Sequence, residues 1–250
     1  MTADCAALVV PRRFNGPAGS AHGGYLCGRL ASMSAAQHGP NAVVTLLEPP
    51  PLETPLRFER GTPRSRLTVG DRLLAMVATA GPPVVEPPAF VTPEAAERAS
   101  AGFAGRGRHP FPTCFACGPR RDEGDGLRLA PGRLESVPDT VACRWIPHPG
   151  LGRGGVVPAE IVWAALDCPG GWITDPAANP MLLNRMSAVV DRLPAVGTPY
   201  VIVSTLRERN GRVLRNAGAL YDTTGELLAR ATASWVVLAA STDEREGREE

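Results

Sequence analysis

Cys114 and Cys117 flank Phe115 and Ala116, a Cys-x-x-Cys spacing that is half of a zinc site. Zinc wants four ligands, and no second pair at ligand spacing follows. His109, Cys143 and His148 stand singly, so the pair reads as two buried, reduced thiols and no metal is expected. A thioredoxin-like redox role needs the pair to open a helix after a strand, and the Gly118-Pro119 that follows argues against it. The remaining chemistry is narrowed by an absence: all 26 basic residues are arginine, with no lysine. Schiff-base catalysis, pyridoxal-phosphate attachment, the phosphate-loop lysine and the kinase strand lysine are thereby excluded. Carboxylates, four histidines, six cysteines, hydroxyls and backbone amides are left.

The chain that must position these groups has 250 residues, enough for one large domain or two ordinary ones. A formal charge of +1 provides no field that steers it toward nucleic acid or an anionic membrane, and neither is expected as a partner. Met1 to Asn15 carry Asp4 early and only a short apolar stretch, Ala6 to Val10, too short for a secretory segment. No apolar run approaches the ~18 residues that span a bilayer. These features predict a cytoplasmic protein with reduced cysteines. Proline, at 26 residues, is about twice its usual share of ~5%, which favours turns and short β elements over long helices.

Residues 81–113 are rich in proline, glycine and alanine and lack a sustained period, as a linker would. Within it, Thr92 as N-cap and Pro93 as first helical residue predict a short helix, Thr92 to Ala99. The halves on either side resemble each other. Ala42-Val43-Val44-Thr45 runs through prolines to Thr54-Pro55-Leu56, and Ala188-Val189-Val190-Asp191 runs through Pro194 to Thr198-Pro199-Tyr200. Each half has one segment of helical spacing upstream, His22 to Gln37 and Pro158 to Cys168. Strands are expected at Met186 to Leu193, Tyr200 to Arg209, Arg212 to Tyr221 and Glu226 to Leu238, with Asn210-Gly211 as a hairpin turn. The order is helix, then antiparallel strands, twice, an α+β arrangement.

At this point the residues resemble the hotdog-fold thioesterase superfamily in its tandem, double-hotdog form. Cys114-Phe115-Ala116-Cys117-Gly118-Pro119, Gly126-Leu127-Arg128-Leu129 and Val141 to Trp145 carry the match in the second half, and Ser20 to Tyr25 in the first. The resemblance implies two repeats, 1–80 and 114–240, each a long helix wrapped by a curved antiparallel sheet, joined by the 81–113 linker and followed by a charged disordered tail, 241–250.

Hotdog enzymes of this kind place His-Gly-Gly at the start of the helix and a catalytic carboxylate nine residues after the histidine. The first repeat has His22-Gly23-Gly24 but Ala31 at the acid position; the second has Pro158-Ala159-Glu160 but Asp167 nine residues on. Each has kept half of the pattern. The resemblance therefore implies one composite site, in which Gly23 or Gly24 faces Asp167 and His22 orients substrate or holds the loop. The mirror-image site, built on Ala159 or Glu160 with Ala31, would be dead. Asp167, between Leu166 and Cys168-Pro169, would be desolvated and more basic than in water. It would then act as general base toward water or as nucleophile, with a helix N-terminal amide stabilising the oxyanion.

Asn15, Glu160, Trp163 and Ser187 are the substrate-binding candidates: Asn15 near a carbonyl-polarising amide, Glu160 as a second acid, Trp163 as a pocket wall, Ser187 beside the acid. The more ordinary roles are a turn for Asn15, a helix-dipole partner for Glu160, core filling for Trp163 and an exposed strand face for Ser187. The implied activity is hydrolysis of an acyl-CoA or acyl-carrier thioester, without cofactor, by a tandem unit able to assemble into a homo-oligomer. A non-catalytic acyl-thioester or lipid-binding protein is the alternative, since some tandem thioesterases carry a glutamine on the last strand where this chain has Ala233 or its neighbours. A dehydratase ranks last, because no histidine lies near Asp167 in sequence. Bound CoA phosphates would have to meet arginines, with Arg12, Arg13, Arg106, Arg108, Arg120 and Arg121 as clustered candidates.

Overall fold

A computed structural model describes residues 4–79 and 86–238. The elements are β1 (Asp4–Leu8), α1 (Gly23–Met33), α2 (Ala35–His38), β2 (Ala42–Leu46), β3 (Leu56–Arg60), β4 (Arg64–Val69), β5 (Arg72–Thr79), α3 (Pro93–Ala101), β6 (Gly132–Arg133), β7 (Thr140–Trp145), α4 (Ala159–Gly171), β8 (Met181–Val190), β9 (Tyr200–Asn210), β10 (Val213–Asp222) and β11 (Leu227–Val237). Every strand joins one antiparallel sheet in the order β1-β3-β4-β5-β2-β8-β11-β10-β9-β7-β6. From the central β2–β8 pair, where Val44 faces Met186, the order runs outward as β2-β5-β4-β3 on one side and β8-β11-β10-β9 on the other. Each set is a strand that follows a helix, then the next three strands in reverse.

Local sequence explains most boundaries. His22 caps α1 by accepting the Tyr25 N–H at 3.3 Å, and Thr92 caps α3 by accepting that of Ala95. The expected helix over 22–37 is interrupted at Ser34, whose hydroxyl turns back to donate to the Leu30 carbonyl at 2.8 Å, so a one-turn α2 follows. α4 continues past Cys168 to Gly171 with Pro169 inside its last turn, because Gly170 and Gly171 fit closely under Asn216 and Trp235. β8 begins five residues earlier than the alternation predicts. A bulge at Asn184 breaks the period-two pattern there. The hairpin turn lies one residue beyond the expected Asn210-Gly211: Asn210 ends β9 opposite Val213, so Gly211 and Arg212 form the loop, with Gly211 at φ 56° in its first position.

Opposite faces of the sheet bury different things. One face packs against α1 and α4 in a core that includes Leu26, Leu30, Phe115, Leu166 and Ile202. On the other, Ala142, Val201, Val203, Ala219 and Tyr221 receive Ala96 and Ala99 of α3. The stretch expected to be a linker holding a short helix does carry that helix as α3, and over 86–113 it is a packed part of the fold. Its small apolar residues lie on one helix face, and Tyr221 donates its hydroxyl to the Pro88 carbonyl. The expected tail, 241–250, lies outside the described residues.

α1 and α4 run antiparallel and touch along glycines four apart. A Cβ on Gly24 would lie 2.5 Å from Asp167 Cβ, and one on Gly28 would lie 2.7 Å from Glu160 Cα and 3.0 Å from Trp163 Cβ. Glycine at both places lets the backbones approach. Gly28→Ala is expected to lower unfolding free energy by about 1–3 kcal/mol through overpacking, read as a fall in the urea midpoint at unchanged m-value.

Candidate functional site

The close helix contact delivers the Asp167 carboxylate to the first turn of α1. Asp167 Oδ2 accepts the Gly24 N–H at 2.7 Å and lies 3.6 Å from His22 Nδ1, and both side chains are 2% exposed. A carboxylate at a helix N-terminus is favoured by the unpaired amides and the positive end of the dipole. Asp167 Oδ1 has no hydrogen-bond partner among the described residues. Burial pushes the Asp167 carboxyl up to about 6, while His22 and the Gly24 N–H pull the other way. Burial also works against a charged imidazole at His22. The facing Cys114 sulfur and Asp167 outweigh it, so the His22 pKa is raised.

An apolar cleft of about 300 Å³ opens beside this pair. His22, Gly23, Cys114, Asp167 and Cys168 form one part of its wall, and Leu46, Leu47, Met181, Leu183, Trp235 and Val236 supply much of the apolar remainder. The Gly23 N–H makes no hydrogen bond among the described residues, whereas that of Gly24 is held by Asp167. Of the two expected amides, only that of Gly23 remains for a ligand.

The four residues read from sequence as catalytic, His22, Gly23, Gly24 and Asp167, are brought together. The four read as substrate-binding are not part of the cleft wall. Asn15 is buried in a loop, donating to Gly16 O at 2.9 Å and accepting from Arg121. Trp163 packs on Gly28 between the helices. Glu160 borders a separate pocket of about 90 Å³ with Arg153. The Ser187 hydroxyl donates to Ala42 O at 3.0 Å across the β2–β8 seam. Asn15, Trp163 and Ser187 are accounted for by packing or hydrogen bonds, and Glu160 is set apart from the cleft. Met181 and Leu183 went unrecognised because only the fold brings β8 against the start of α1, where Leu183 meets Gly23.

The thiols also sit differently from expectation. Cys168 Sγ lies 3.3 Å from His22 Nε2 and 3.7 Å from Cys114 Sγ, and Cys117, three residues on from Cys114, is buried close by. The lack of two further ligands, which was the reason for expecting no metal, does not hold in the folded chain. Hydrogen bonds from Cys117 and Cys168, then His22, hold the Cys114 thiol well below its ordinary pKa; Cys117 and Cys168 are well above theirs through the same contacts.

The six clustered arginines divide. Arg121 donates to the carbonyls of Thr113 and Arg13, to Asn15 and to Asp125; Arg13 donates to the carbonyls of Gly124 and Asp125. Both are structural ties. Arg106, Arg108 and Arg120 line a second cleft of about 450 Å³ that shares no lining residue with the first; there Arg106 also donates to the carbonyls of Ser100 and Ala101, and Arg108 pairs with Asp175 at 3.3 Å. Arg12 is exposed elsewhere.

Among solved structures, a tesB protein of Mycobacterium avium subs paratuberculosis matches at TM-score 0.61 and 16% identity, over 94% of this chain and 93% of that one. A protein provisionally named a thioesterase, from Novosphingobium aromaticivorans, matches at TM-score 0.61 and 15% identity, over 94% and 96%. A conserved hotdog-fold protein of unknown function from Alicyclobacillus acidocaldarius matches at 0.59 and 14%, over 96% and 95%. The chain has this α+β hotdog fold. No family model matches the chain, and no curated protein matches it. Among the described residues no helix is long and apolar enough to cross a membrane.

Asn15→Ala removes the acceptor that meets the buried Arg121 guanidinium. It is expected to cost about 1–3 kcal/mol of stability, measured by chemical denaturation.

Proposed function

We propose that the chain is a tandem hotdog thioesterase that hydrolyses a small acyl thioester of CoA or a carrier protein, with Asp167 as general base. The observation that carries this reading is a buried carboxylate, anchored through one oxygen, whose other oxygen is unpartnered in a residue lining an apolar cleft. The matching strand orders on either side of β2–β8 support two repeats, 1–80 and 114–240, bridged by a segment that carries α3. The likeness in fold to a provisionally named thioesterase supports the reaction class.

In this reading a water held by Asp167 Oδ1 gives its proton to the carboxylate as its oxygen attacks the thioester carbon. Charge developing on the carbonyl oxygen meets the Gly23 N–H at the positive end of α1. The C–S bond then breaks, and the proton passes from Asp167 to the departing sulfur, leaving a carboxylic acid and a free thiol. Gly24 and His22 hold the base in place. A cleft of about 300 Å³ is at the small end of ligand sites, which favours a short acyl group. Six free cysteines accord with a reducing, cytoplasmic setting. Arg106, Arg108 and Arg120 are the candidates for the CoA phosphates.

One observation favours a binding protein instead: Asp167 itself occupies the Gly24 amide, leaving a single free donor. Asp167→Asn preserves the side-chain shape and separates the readings. We expect kcat/KM on a panel of acyl-CoA substrates to fall about 10²- to 10⁴-fold, with binding retained. Undiminished turnover in the folded variant removes Asp167 from the mechanism, and wild-type binding without turnover selects the second reading.

Replacing Arg106, Arg108 and Arg120 together by glutamine is expected to raise KM for acyl-CoA on the order of tenfold at low salt and less at high salt. A KM that does not respond would move the phosphates elsewhere.

A further inference from the structure

We propose that His22, Cys114, Cys117 and Cys168 form a buried zinc site of the Cys3His type, assembled from three separate stretches of the chain. The ligand atoms of His22, Cys114 and Cys168 all lie within 4.8 Å of one another, and all three residues are buried. The nitrogen–sulfur and sulfur–sulfur separations are 3.3 and 3.7 Å. Ligands about 2.0–2.3 Å from a tetrahedral ion stand about 3.5–3.8 Å apart. These two edges, both meeting at Cys168, therefore already have about the size of those of a zinc tetrahedron, whereas a disulfide would need a sulfur–sulfur distance of about 2.05 Å.

Cys117 supplies the fourth corner. The Cys114–Gly118 loop closes on itself through Gly118 N–H to Cys114 O at 2.9 Å. This tight turn brings position 117 back toward Cys114, and the Cys-x-x-Cys spacing makes Cys117 the fourth candidate, its sulfur standing outside the trio whose ligand atoms already lie within 4.8 Å of one another. A Cβ at position 118 would lie 2.5 Å from Cys114 O and 2.6 Å from Cys114 N. Glycine there is a steric requirement of the knuckle.

The surroundings also fit a metal-bound imidazole. With Nε2 on the ion, Nδ1 would carry the proton, exchanging the Tyr25 N–H that it accepts at 3.3 Å for an N–H facing Asp167 Oδ2, 3.6 Å away. Histidines that bind metals commonly give their second N–H to a carboxylate in this way. Three sulfurs and one nitrogen, with no redox-active partner, suit zinc over harder cations. Four protein ligands would make the site closed and structural, pinning the start of α1 to α4 and to the 114–118 loop. The proposal does not depend on the thioester reading.

The test is metal content of the full chain, purified under reducing conditions with zinc supplied and then desalted. About one zinc per chain is expected by elemental mass spectrometry, and cobalt substitution should give the thiolate charge-transfer and tetrahedral ligand-field bands of a three-sulfur site. Cys168→Ser and Cys117→Ser should each lose most of the zinc, while Cys143→Ser, a buried thiol outside the cluster, keeps it. Should the serine variants fail to fold, alkylation mapping on wild-type protein serves: chelation should expose Cys114, Cys117 and Cys168 but not Cys143, and zinc should restore protection. A folded wild-type chain that takes up no zinc overturns the site. So does zinc retained in full by folded Cys168→Ser or Cys117→Ser, or a cobalt form without thiolate bands.

Discussion

The contact between α1 and α4 at Gly24 and Gly28 is the constraint on which the site depends. A hydrogen in place of a methyl at each position lets two helix backbones meet at a distance that ordinary side chains forbid. Only at that distance does Asp167, on one helix, reach the first free amides of the other. The antiparallel run fixes which ends meet: the C-terminal part of α4 lies against the N-terminus of α1. The acid of one half of the chain and the amides of the other can then share one location, which neither half contains alone.

Burying Asp167 and His22 carries a desolvation cost that must be offset locally. The Gly24 N–H, the helix dipole and the imidazole do this for one carboxylate oxygen, and nothing does it for the other. A fully satisfied carboxylate would be an inert structural tie. One left half-satisfied beside a cleft retains an acceptor for a ligand proton, and the same imbalance keeps its pKa high. His22 is divided between two neighbours. Its Nδ1 accepts the Tyr25 N–H while lying near Asp167, and its Nε2 faces Cys168. The proton on this ring thus links the helix cap, the carboxylate and the thiols.

The sequence made the strands legible where alternation was regular, as in β9 to β11, and obscured them where it was not, as at the Asn184 bulge in β8. Helix starts were readable because caps are local: Thr92 and His22 act within three residues of themselves. The pairing of Gly24 with Asp167 was within reach because each half held one part of a known pattern. Asn15, Glu160, Trp163 and Ser187 were misplaced for one shared reason. Their distance along the chain from a motif says nothing of which way the side chain turns once helices pack: Asn15, Trp163 and Ser187 turn to loop, core and backbone, and Glu160 to a separate small pocket. The thiol cluster was illegible because its members come from positions 22, 114, 117 and 168, and ligand spacing along a chain reveals only ligands that are neighbours in sequence.

The absence of lysine has a structural counterpart in Arg121. Its guanidinium meets two carbonyls, an amide oxygen and a carboxylate at once, on partners spread from Arg13 to Asp125. Five N–H groups in a rigid plane can satisfy such a set, whereas an ammonium has three donors on a single atom. These bonds tie the loop that follows the Cys114–Cys117 pair to the stretch leading into α1. That stretch is held further by Phe14, stacked on Tyr25 at 3.9 Å and edge-on to Phe115 at 5.0 Å. The loop bearing two of the thiols is thereby fixed over His22 by groups that lie outside the cluster. A lysine at position 121 would preserve the charge and lose the geometry, so the residue that excludes amine chemistry from this chain is also the one its site is built with.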